Sequence, residues 1–207
     1  MLHTLTSLAL AAVLAVPATP TPRPSPVITA PELKVALNNL LSEHVWLASA
    51  ATGAALQGRK GDFDAAASTL DANSVEISKA IGMVYGPGAE TAFLALWRKH
   101  IGMVVDYTTG LATKNKAKQD KAVSDLVAYT QEFGAFLSGA NPNLTKDAVA
   151  GLVKEHVLTL KAVIDAQAAK DPAKAYAAMR AAAGHMSMIA NPLADAIVKQ
   201  FPSKFAM

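Results

Sequence analysis

The sequence predicts an all-α protein, three antiparallel helical hairpins of about 56 residues packed as a six-helix bundle or as a four-helix bundle with one hairpin docked on it. Three observations carry this. The 207 residues are 52% hydrophobic but only 6% aromatic, and the alanine that makes up the difference favours close-packed helices over a sheet. Apolar residues recur at spacings of three and four along most of the chain. One heptapeptide plan occurs three times: Leu40-Leu41-Ser42-Glu43-His44-Val45-Trp46, then Leu96 to Gly102 around His100, then Leu152 to Leu158 around His156. The three histidines are 56 residues apart each time.

Residues 1–18 read as a signal peptide. Leu5 to Val16 are nearly all apolar or small, a run too short for a bilayer, which needs about 20 residues. Val16-Pro17-Ala18 offers a cleavage site, although no Lys or Arg precedes the apolar run. Residues 19–31 read as a Pro-rich tether in extended conformation. Together they predict a secreted or cell-surface protein, with a cell-wall or membrane-associated protein as its expected partner.

The bundle is expected over residues 32–203, with repeats at 38–93, 94–149 and 150–205. Leu33, Leu37, Leu40, Leu41, His44, Ala48 and Ala51 share one face of a first helix, and Gly58 to Gly61 turn the chain. Phe63, Leu70, Asn73, Ile77 and Ile81 line the return helix, stopped at Tyr85-Gly86-Pro87-Gly88. The second hairpin repeats this with stripes through Phe93, Trp97, His100 and Tyr107, then Ala122, Leu126, Tyr129 and Phe133, ending at Gly139-Ala140-Asn141-Pro142. In the third, Thr145 caps the stripe Val149, Val153, His156 and Leu160, and Asp171-Pro172 starts the return through Ala182 and His185. Asn191-Pro192 is expected to break or kink that helix before a last piece with Leu193, Ile197 and Phe201.

Composition excludes several function classes. There is no cysteine, so disulfides, thiolate metal sites and a cysteine nucleophile are ruled out. The net charge of +3 comes from interspersed lysines and acids, a pattern that does not predict nucleic-acid binding. Neither Gly-x-Ser-x-Gly nor a Walker glycine run is present. An oligomeric state is not legible.

The 56-residue step also links Asn73, Tyr129 and His185 on the return helices. In each hairpin the midpoint between the two linked positions falls in the turn. Partners therefore face each other at one height, roughly 20 Å from the turns at 1.5 Å per residue. His44, Asn73, His100, Tyr129, His156 and His185 are thus expected in one layer, which takes every histidine except His3. Such a layer either satisfies itself as a packing network, with Glu43 and Glu155 nearby, or holds a metal or cofactor. Neutral imidazole suits zinc, copper, iron and nickel. Met103 and Met188, each three residues after a layer histidine, add soft ligands and put copper slightly ahead. Glu76 and Glu132 occupy the position of Met188 in the other repeats, and carboxylate with imidazole would suit iron or manganese. Haem clamped between two layer histidines is a further option.

The motifs Glu43-His44, Leu96-Trp97-x-x-His100-Ile101, Glu155-His156 and His185-Met186-x-Met188 resemble a group of exported bacterial helical proteins, some labelled after copper amine oxidase-type surface domains. The resemblance covers about residues 35–201 and implies a secreted or cell-surface location, with no particular activity. No Asn-Tyr-Asp or Asn-Tyr-Glu tripeptide is present to form a quinone cofactor. Ferritin-like and hemerythrin-like bundles are similar in architecture only. The function expected is an exported metal-binding bundle for binding, storage or transfer. The alternatives are a cell-surface interaction module whose layer serves packing, and a haem or di-metal redox protein.

Overall fold

The structure is a computed structural model that describes residues 28–206. The signal segment and most of the tether lie outside these residues. Six helices follow one another: α1 (Ala30–Leu56), α2 (Lys60–Tyr85), α3 (Pro87–Ala112), α4 (Lys116–Ala140), α5 (Lys146–Ala168) and α6 (Pro172–Gln200), with a short 3-10 turn at Pro202–Lys204. Each helix packs on its neighbours in chain order, and α6 closes the ring on α1. The first helices of the hairpins, α1, α3 and α5, also touch one another across the centre. The arrangement is a six-helix ring with an approximate threefold repeat, three helices inside and three outside. No four-helix subset stands apart from a docked pair.

The hairpin turns show the repeat in the backbone. Gly58, Lys114 and Lys170, spaced by the same 56 residues, all take positive φ, at 70°, 54° and 56°. The next residue starts each return helix, and Asn115 and Asp171 cap theirs through side-chain oxygens on the amides of Lys118 and Lys174. Arg59 occupies the same place and makes no such bond.

Two boundaries differ from the sequence expectation. The helix α1 starts at Ala30, so Pro31, assigned to the tether, belongs to its first turn, where a missing N–H costs nothing. Thr29 and Glu32 form a reciprocal capping box there. The helix α6 runs through Pro192 unbroken. Leu193, Ala194, Ala196 and Ile197 beyond the proline are buried. Asn191 is held across the α1 interface, its Oδ1 accepting from Asn38 Nδ2 at 2.9 Å. Burial of that last turn outweighs the backbone bond the proline removes.

The core forms two apolar clusters. One fills the end where the chain enters and leaves, around Leu37, Phe93, Phe133 and Ile197. The other, around Ala48, Leu70, Tyr107 and Leu160, lies toward the hairpin turns. On the inner helices His44, His100 and His156 fall in sequence between residues of the first cluster and residues of the second. At the entry end, Ala206 N donates to Ile28 O at 3.1 Å, which joins the two ends of the described chain.

Candidate metal centre

The threefold arrangement puts one histidine from each inner helix at the centre. His44, His100 and His156 are 1%, 3% and 4% exposed. Their ring centroids are 5.4, 5.8 and 6.5 Å apart. One nitrogen from each ring can be chosen so that all three lie within 4.8 Å of one another. His44 Nε2 and His100 Nε2 are 3.4 Å apart. A tetrahedral ion bound at 2.0–2.1 Å from each nitrogen would set them about 3.3–3.4 Å apart. That pair is therefore already at ligand spacing, and His156 would complete the set by moving closer.

The trio is packed among rings. Trp97 meets His44 and His100 edge-on, with centroids at 5.0 and 4.7 Å, and stacks on Phe93 at 5.3 Å. Tyr129 lies 5.2 Å from His100. Trp97 takes the repeat position held by Leu41 and Val153 in the other two hairpins. Along its own helix it is one stripe residue among many. Alignment of the three repeats would have marked it as the odd member.

The return helices answer at the same level, but toward the backbone. Asn73 Nδ2 donates to Leu40 O at 3.0 Å and to Glu43 Oε2 at 2.8 Å. His185 Nε2, at the same repeat position, donates to Leu152 O at 2.9 Å. Both close a hairpin internally, each from return helix to first helix. Tyr129, the third member, is buried without a partner for its hydroxyl.

The six predicted layer residues therefore divide into a central trio and three outer residues. His185 is half-buried and committed to a carbonyl, outside the trio. Met103 is half-buried against the larger apolar cluster. Met188 points outward at 58% exposure and supplies no thioether to a buried ion. Glu76 and Glu155 are exposed, and Glu132 forms a surface ion pair with Lys99. Glu43 orients Asn73, as a rim residue does. A carboxylate-bridged centre is excluded by this placement, since no acid reaches the trio. Between His44 and His100 there is no room for a haem macrocycle, their Nε2 atoms being 3.4 Å apart.

The packing-network alternative is tested by the hydrogen bonds. His44 Nδ1, His100 Nδ1, both ring nitrogens of His156, Tyr129 O, Trp97 Nε1 and Asn73 Oδ1 are buried with no partner among the described residues. Leaving such a group unpaired costs about 1–3 kcal/mol. The Nε2 atoms of His44 and His100 share one hydrogen bond at 3.4 Å; a network built only for packing would be closed around it, and this one leaves His156 and both Nδ1 atoms open.

Electrostatics keep the trio neutral. Burial lowers the His44 pKa well below 6.5, and its neighbours His100 and His156 lower it further. Burial first, then His156, brings His100 down to about 3. Burial, then His185, brings His156 to about 4. Three neutral imidazoles at pH 7 are in the form that binds a metal.

No protein-family model, curated protein or solved structure shows significant similarity to the chain. The resemblance drawn from the sequence rests on its motifs alone. None of the described helices is long and apolar enough to cross a membrane.

Proposed function

We propose that this protein is an exported metal-binding bundle that holds one transition-metal ion on His44, His100 and His156, for binding, storage or transfer. The observation that carries the reading is the buried trio of neutral imidazoles, two already at ligand spacing and one with both nitrogens unpartnered. An isolated core has no reason to keep three such groups together, whereas a bound ion satisfies one nitrogen of each.

Charge ranks the metals. The ligand set is neutral, so the ion's own charge stays uncompensated in the core. A monovalent copper ion costs less to bury than a divalent one and accepts three imidazoles. Zinc meets the same condition with a bound hydroxide, which leaves a net single charge. Iron loses support because no carboxylate joins the trio. The earlier case for copper from Met103 and Met188 is replaced by this one. Export is inferred from the apolar run Leu5 to Val16 and the prolines after it.

The test is metal content. Chelator-stripped protein is incubated with Cu(I) under reductant, with Zn(II) and with Fe(II), desalted and assayed. The expected result is one Cu(I) or Zn(II) per chain, lost in His156→Leu and kept in His185→Gln. Uptake of none of the three metals by wild-type protein contradicts the reading. For export, the N-terminus of protein recovered outside the cell should begin after residue 18; retention inside with an intact N-terminus contradicts it.

A further inference from the structure

The threefold repeat builds the same cleft twice, and the two copies are not filled alike. The first lies between α1, α2 and α3, has His44 and His100 at its floor, and encloses about 320 Å³. Its walls include Ala48, Ala51, Ala67, Leu70, Ile101 and Val104. The second lies between α3, α4 and α5 on His100 and His156, with Val104, Val123, Leu126, Val157 and Leu160 in its walls, and encloses only about 40 Å³. A shift of 56 residues maps one onto the other. The shift also names what fills the second copy: Tyr107 stands where the first has Ala51, Val123 where it has Ala67, and Ile164 where it has Thr108.

The open copy is not a packing defect spread over the core, because every position that would fill it carries a small side chain. Its floor includes His44 and His100, which are only 1% and 3% exposed and whose Nδ1 atoms are closed off from the cleft. At its rim Arg98 and Asp71 pair through two bonds of 2.7 and 2.8 Å, so the mouth carries no net charge. A cavity of about 150 Å³ takes one benzene ring, and pockets that bind small molecules begin near 300 Å³.

We infer that the α1–α2–α3 cleft is a binding site for a neutral, largely apolar molecule of about bicyclic size. A charged ligand finds no free counter-charge inside, because Arg98 and Asp71 at the rim are paired with each other. The site does not require a bound metal, and its test is run on metal-free protein, so its outcome is separate from that of the metal reading.

The probe is 2-naphthol, titrated by calorimetry into chelator-stripped protein, with naphthalene as the partner lacking the hydroxyl. Wild-type protein is expected to bind one 2-naphthol with a Kd of about 1–100 μM. Naphthalene, which shares the size and lacks the hydroxyl, is expected to bind with comparable affinity. The variant Ala51→Tyr, which copies the second cleft, is expected to bind 2-naphthol at least about tenfold more weakly. The variant Ala67→Val, a smaller filling, is expected to bind it about threefold more weakly and serves as the decisive variant where Ala51→Tyr does not fold. No binding of 2-naphthol by wild-type protein up to its solubility overturns the site. So does unchanged affinity in the folded filling variant. Binding of 2-naphthol with no binding of naphthalene overturns the assignment of an apolar ligand.

Discussion

The bundle contains two buried polar layers, and they are built on opposite principles. At the entry end the outer helices are tied by a chain of side chains. Asn141 Nδ2 donates to Tyr85 Oη at 2.9 Å, Tyr85 O–H donates to Gln200 Oε1 at 2.9 Å, and Gln200 Nε2 donates to Ala140 O at 3.0 Å. Asn141 Oδ1 takes the amide of Asn143 at 2.9 Å. Each of these side chains is partnered. In the middle of the bundle the inner helices bring together three histidines of which His156 bonds to nothing through either nitrogen. The 56-residue step links Tyr85 to Asn141 in the first layer, whereas Gln200 lies outside it; the three histidines of the second layer all follow it. The first behaves as a latch that fixes how the hairpins dock. The second carries unmet polar groups, which a fold keeps when something else needs them.

Acid should separate the two layers most strongly. The unfolded histidines titrate near 6.5, and the folded trio titrates well below that, with His100 at about 3 and His156 at about 4. Below pH 6.5 the unfolded chain therefore binds more protons than the folded one. Stability is full above that pH and falls as pH drops, by up to about 1.4 kcal/mol per pH unit for each of the three histidines, until the folded pKa values are reached. The entry-end latch has no group that titrates in that range, since burial raises the Tyr85 pKa above 10. Urea midpoints of metal-free protein between pH 7 and 4.5 check this, and a flat profile counts against a neutral buried trio. His156→Leu should reduce the slope by one histidine.

Substitution should then move the layers in opposite directions. Asn141→Leu removes the bond to the Tyr85 hydroxyl and the bonds from Asn143 at a residue only 1% exposed, while Tyr85 keeps its bond to Gln200. A loss of about 1–3 kcal/mol is expected, or roughly 2–12 °C in the melting midpoint of a chain this size. His156→Leu replaces an unpartnered buried imidazole by an apolar group of similar volume. A gain of about 1–2 kcal/mol in the metal-free protein is expected. If both substitutions destabilise equally, the distinction between latch and site fails.

The smallest effect lies outside both layers. Lys114 and Lys170 hold φ of 54° and 56° where the first hairpin has Gly58. Lys170→Gly should stabilise by about 0.5–1 kcal/mol, since glycine enters this region without a Cβ clash. It should leave metal uptake and naphthol binding unchanged. A change in either ligand property would show that the turns are coupled to the centre.

The hairpins and their turns were legible because a 56-residue period and a 3.6-residue period both survive in the sequence. The layer was legible for the same reason, since a residue's height along a hairpin follows from its distance to the turn. Which three of the six residues meet was not legible. Both helices of a hairpin carry apolar stripes, and nothing in a stripe tells an inner helix from an outer one. His185 looked equivalent to His156 and instead bonds to Leu152 O on its own hairpin. Met188 follows His185 by one turn yet lies on the outward edge of α6. Pro192 read as a break or a kink, and the helix is not broken there because Leu193 and Ile197 beyond it are buried. Asn141 read as a helix stop, and its role as a latch depends on Tyr85 and Gln200, which no local pattern connects to it. The open cleft could have been sighted by aligning Ala51 with Tyr107, but its volume needed the packed structure.

The most direct measurement of the central claim is the thermal midpoint of wild-type and His156→Leu protein, each with and without Cu(I) or Zn(II). Binding to the folded state alone raises stability by about 2.7 kcal/mol when free metal is 100 times its Kd. The account predicts a metal-dependent rise in the wild-type midpoint. It predicts for His156→Leu a higher midpoint without metal and no rise with it. A wild-type midpoint that ignores both metals, together with a lower midpoint for His156→Leu, would contradict it and leave the histidine layer as packing.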